Sequence, residues 1–104
     1  MKTLGELQAG FELNGGAWKH RTYKARALAA ERIVEYFGKD RMPDTIFKED
    51  VLRFGEWLAL KKNLGPKTIR QLFGVGNQWY RWMEANGEIE YNFNPFVRAM
   101  NYLD

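Results

Sequence analysis

One run between two punctuating signals constrains this chain more than any other feature. Pro66 stands where proline is welcome, in the first turn of a helix, and Asn86-Gly87 supplies the expected stop. Between them Ile69, Leu72, Phe73, Gly76, Trp79, Tyr80 and Met83 recur on one face over about five turns. The opposite face carries Lys67, Arg70, Gln71, Asn77, Gln78 and Arg81. A helix with so broad an apolar stripe must be covered by other elements.

Those elements are also helical in pattern. Tyr23, Ala27, Ala30, Ile33 or Val34, and Phe37 predict a helix over about 18 to 37, with Gly38 as its stop. Pro43 and Asp44 mark a loop, and Asp44 or Thr45 is placed to cap a helix from about Lys48 to Lys61. Val51, Phe54, Trp57 or Leu58, and Leu60 supply its apolar side, and Glu49, Asp50, Lys61 and Lys62 match its dipole. Gly55 inside it suggests a close approach by another helix. Pro95 can open a short last helix with Phe96, Ala99 or Met100, and Leu103 on its apolar side. No strand alternation competes, so the expected fold is all-α, a four-helix bundle. Residues 1–17, with scattered apolar positions and Gly15-Gly16 after Asn14, read as a flexible N-terminal arm or linker. Residues 18–104 then form the helical domain.

The 104 residues suffice for one small core, and 45% hydrophobic with 15% aromatic content is far from a disordered composition. The absence of cysteine excludes a disulfide framework and a thiolate zinc site, and favours a reducing, cytoplasmic setting. No stretch has the roughly 20 apolar residues of a membrane span.

The net charge of +3 conceals a strong segregation. Between Glu12 and Glu31 there is no acid, but Lys19, Arg21, Lys24 and Arg26; between Glu56 and Glu84 there is none either, but Lys61, Lys62, Lys67, Arg70 and Arg81. A cationic helix face attracts a phosphate backbone. Lys67, Thr68, Arg70 and Gln71 also lie at a helix N-terminus, where backbone N–H groups favour phosphate, and Arg and Gln can make bidentate contacts to base edges. Duplex DNA is therefore the expected partner.

Catalytic chemistry finds little support. His20 is the only histidine and has no acidic partner nearby in sequence, so neither a metal site nor a His-activated nucleophile is indicated. Glu49-Asp50 and Glu88 with Glu90 are helix-start and turn residues. Gly74 and Gly76 follow no strand, which argues against a dinucleotide loop. No metal or other cofactor is expected.

Several short motifs occur in a telling succession: Thr22 with Ile33-Val34-Glu35-Tyr36-Phe37-Gly38; Pro43-Asp44-Thr45-Ile46 leading to Lys48-Glu49-Asp50-Val51; Leu64-Gly65-Pro66-Lys67-Thr68-Ile69; and Ile89 to Asn94-Pro95-Phe96. In this order the chain resembles, over roughly 22 to 97, the SAM-like, N-terminal core-binding domain of phage-integrase-type tyrosine recombinases. The resemblance implies half of a DNA clamp that works with a catalytic domain of the same parent chain, among recombinase protomers in a synaptic complex, during DNA integration or recombination. The catalytic tyrosine set belongs to that other domain: three positions after His20 comes Tyr23, not arginine, so this chain alone is not expected to be an enzyme. Carried over residue by residue, the DNA contacts implied are Lys19, Arg21 and Lys24 on the first helix and Lys67, Thr68, Arg70 and Gln71 on the third. Two other readings stay open, a stand-alone helical DNA-binding regulator or accessory factor, and a helical protein-interaction module.

Overall fold

The computed structural model describes residues 2–13 and 20–101. These form helices α1 (Leu4–Leu13), α2 (His20–Phe37), α3 (Lys48–Lys61), α4 (Pro66–Ala85) and α5 (Pro95–Met100), with a 3-10 turn at Pro43–Thr45. No strand occurs among the described residues, and the expected all-α bundle is the architecture found. The long central helix is its hub. α4 packs on α2, α3 and α5, and Leu72, Phe73, Trp79, Tyr80 and Met83 are buried along it.

The N-terminal expectation is corrected. Leu4–Leu13, read from sequence as part of a flexible arm, is a docked helix. A capping box starts it: Thr3 Oγ1 accepts the Glu6 N–H at 3.3 Å, and Glu6 Oε1 accepts the Thr3 N–H at 3.1 Å. Two further amides of its first turn are satisfied by the turn after α2, Leu4 N–H donating to the Arg41 carbonyl and Gly5 N–H to that of Lys39. Leu4, Leu7 and Phe11 are buried, one per turn. Phe11 stacks on Trp79 at 5.4 Å between ring centroids and carries the Arg26 guanidinium 4.5 Å above its ring.

Two smaller expectations also change. Neither Asp44 nor Thr45 caps α3; the Thr45 hydroxyl donates to the Met42 carbonyl, and Asp50 Oδ2 accepts the Phe47 N–H at 2.9 Å instead. Leu60, expected on the apolar side of α3, is 79% exposed, because the packed face there runs through Phe54 and Leu58. Gly55 does permit a close approach: a Cβ there would lie 3.0 Å from the Phe73 ring.

Aromatic rings link the helices into one chain of contacts. Tyr36 meets Phe54, Phe54 stacks on Phe73, Phe73 meets Phe96 edge-on, and Phe96 leads through Tyr80 to Phe93 and Phe47. This spine fixes the azimuth of α4, and so decides which of its residues face water.

Candidate nucleic-acid interface

With one side of α4 locked into the core, helical geometry assigns the rest. At about 100° per residue, Lys67, Arg70, Gln71, Gly74, Asn77, Gln78 and Arg81 fall within one sector opposite the buried stripe. Lys67, Arg70, Gln71, Gln78 and Arg81 are exposed, and Gly74 and Asn77 are half-buried. No acid interrupts the strip, which extends over roughly 21 Å at 1.5 Å per residue. Lys67, Thr68, Arg70 and Gln71 are all exposed and lie together in its first turns. The N-cap, Gly65, has no side chain to offer, and the residue after it is Pro66, so the amides of Lys67 and Thr68 point past the helix end with no side-chain cap.

Of the residues expected on the first basic helix, Lys24 stands apart from this group. Lys24 is exposed, on the side of α2 opposite Arg26, the residue that reaches α4 through Gln78 Oε1 at 3.4 Å. Lys24 therefore faces away from α4. Arg21 lies in the first turn of α2, and Lys19 lies outside the described residues.

The acid-free windows also contain bases that the fold uses for itself. Arg26 is only 6% exposed, held over Phe11 and against Gln78, and burial pushes its guanidinium below the usual arginine range. Lys62 Nζ donates to Glu35 Oε1 at 2.8 Å and sits 5.3 Å from the Trp57 ring centroid. That hydrogen bond holds the Glu35 carboxyl below its ordinary value, with Arg32 adding to the effect. Neither base adds free positive charge to the surface. Their roles depend on neighbours far away in sequence, and charge spacing alone gave no sign of them.

Two residues outside the expected set border the same face. Arg81 closes the α4 strip, and Arg98 of α5 flanks it across a polar cleft that also includes Asn77, Glu84 and Tyr91. Arg81 was visible in the acid-free window; Arg98 was not, because its approach to α4 is tertiary. The described residues contain no His, Cys, Asp and Glu group able to hold a metal ion, and no described helix is long and apolar enough to cross a membrane. No protein-family model, curated protein or solved structure matches the chain.

Proposed function

We propose that the chain binds duplex DNA through the outward strip of α4. Lys67 and Arg70 meet backbone phosphates, the uncapped amides of Lys67 and Thr68 add donors at the same end, and Gln71 lies where it can reach a base edge. The observation that carries the reading is a single one: a helix fixed by a buried face projects an opposite face of bases and amides that no acid interrupts. Lys24, exposed on α2, contributes a second, weaker cationic attraction, to which the sequence adds Arg21 and Lys19 just before it.

The motif succession refines this to a core-binding domain of a tyrosine recombinase, holding DNA for a catalytic domain of the same parent protein and acting in the compartment that contains that DNA. We assign DNA binding, not strand cleavage, to the residues named. A helical protein-interaction module is the competing use of the same bundle, and ionic strength separates the two. Affinity for a short duplex should fall at least about tenfold between about 50 and 200 mM salt if two or more phosphates are neutralised. Affinity that is absent at low salt, or indifferent to salt, would remove the DNA reading.

A further inference from the structure

The polar cleft of about 510 Å³ between the C-terminal half of α4, the turn at Asn92 and α5 has an unbalanced set of hydrogen-bonding groups. Three of its side-chain acceptors are already engaged by the fold. Glu84 Oε2 accepts the Asn92 N–H at 3.2 Å, Asn77 Oδ1 accepts from Asn94 Nδ2 at 2.7 Å, and Asn94 Oδ1 accepts the Val97 N–H at 3.3 Å. Beside the second oxygen of Glu84 and the Asn92 side-chain amide, the groups left over are mainly donors: the guanidinium groups of Arg81 and Arg98 and the Asn77 amide NH₂. None of these has a hydrogen-bond or ion-pair partner among the described residues. Two guanidinium charges against the one carboxylate of Glu84 leave the cleft net positive. Such a cleft suits an anion with several acceptor oxygens.

A second feature narrows the ligand. The Tyr91 ring borders the cleft and is 81% exposed, an unusual position for a large aromatic side chain. Its exposure is built in. Phe93 N–H donates to the Glu90 carbonyl across the turn, Asn92 takes a left-handed φ of 67° that asparagine tolerates, and the Glu84 carboxylate pins the Asn92 amide. The turn is thus tied to α4 and holds Tyr91 at its tip. An open aromatic face beside unpaired guanidinium groups matches a planar base joined to a phosphate.

We infer that this cleft binds an unpaired nucleotide, with its phosphate between Arg81 and Arg98 and its base on the ring of Tyr91. The inference goes beyond duplex binding: Asn77 and Arg81 also belong to the outward strip of α4, but Lys67 and Arg70, assigned to duplex phosphates, lie at its other end and take no part in the cleft.

The test is an NMR titration of the full chain with thymidine 5′-phosphate, with thymidine and inorganic phosphate as parallel arms. Thymidine 5′-phosphate should produce saturable shifts at Asn77, Arg81, Tyr91, Asn92 and Arg98, and bind more tightly than either fragment. Tyr91→Ala and Arg98→Ala should each weaken it by at least about fivefold, the lower end of what a stacking contact contributes, while Tyr91→Phe should bind like the parent. Both side chains are exposed, so the variants should keep the parental melting curve. A Lys67→Ala/Arg70→Ala variant should bind the nucleotide unchanged, which separates this site from the duplex interface. Absence of saturable shifts in the cleft, equal affinity for inorganic phosphate and thymidine 5′-phosphate, or a Tyr91→Ala variant that binds like the parent would overturn the inference.

Discussion

The hydroxyl of Tyr80, buried on α4, donates a 2.7 Å hydrogen bond to the carbonyl oxygen of Pro43, joining the longest helix to the loop before α3. Tyr80→Phe keeps the ring in the aromatic spine but leaves that carbonyl only the Ile46 N–H at 3.4 Å, at an expected cost of about 0.5–1.5 kcal/mol in a denaturant melt. The burial of this hydroxyl also gives a pH signature. Burial raises the folded-state pKa of Tyr80 above its unfolded value, so the unfolded state gives up the proton first as pH rises past about 10, and stability falls from there. The variant has no such proton, so the stability gap between parent and Tyr80→Phe should narrow above about pH 10. A gap that stays constant to pH 11 would refute this.

Phe11 tests whether α1 is structural. It is 1% exposed, stacked on Trp79 and lying beneath Arg26. Phe11→Ala should cost about 3–5 kcal/mol, a large share of the stability of a domain this size. A melt unchanged from the parent would restore the picture of a loose arm.

Gly74 and Gly76 should respond to alanine with opposite signs, although they share one helix. A Cβ at Gly76 would lie 2.5 Å from the Phe96 ring, whereas one at Gly74 would meet nothing within 4 Å. Gly74→Ala should stabilise by up to about 1 kcal/mol through helix propensity. At Gly76 the same gain is outweighed by overpacking, which typically costs about 1–3 kcal/mol, because Phe96 is itself fully buried and cannot swing away. Urea melts of the two variants decide the matter, and matching signs would show that the Phe96 contact is looser than described.

On the proposed DNA face, Lys67→Ala with Arg70→Ala should lower the salt slope of duplex binding by about 2. It should leave stability within about 0.5 kcal/mol of the parent. Lys24→Ala, on a face turned away from α4, should change binding less. Trp79→Ala should instead unfold the domain first, at about 3–5 kcal/mol. A double variant of Lys67 and Arg70 that binds like the parent would take α4 out of the interface.

The helices legible in the sequence were those whose ends are written locally. Pro66 and Asn86-Gly87 bracket α4, and Glu49 and Asp50 mark the start of α3, so both ranges follow from nearest neighbours. α1 was hidden behind its scattered apolar positions and the Gly15-Gly16 pair beyond it, while its own glycines serve tertiary contact. A Cβ at Gly5 would come within 3.0 Å of the Lys39 carbonyl oxygen, and one at Gly10 within 3.2 Å of the Trp82 ring. The one local clue was Thr3-x-x-Glu6, a capping-box spacing. At the site, the α4 strip was legible because charge segregation and helical period coincide there. The loss of Arg26 to the core and of Lys62 to Glu35 was not, since each depends on a partner many residues away.

The run of ring contacts from Tyr36 to Phe47 has a consequence for how the bundle can vary. Each ring is braced by the next, so the penalties of altering neighbours such as Phe54 and Phe73 should not sum, and a double-mutant cycle should expose the difference as an interaction energy. A ring enlarged at one link demands one trimmed at the adjacent link. Drift along this line therefore proceeds in compensating pairs, while the solvent-facing residues of α4 are free to change one at a time and retune what they touch.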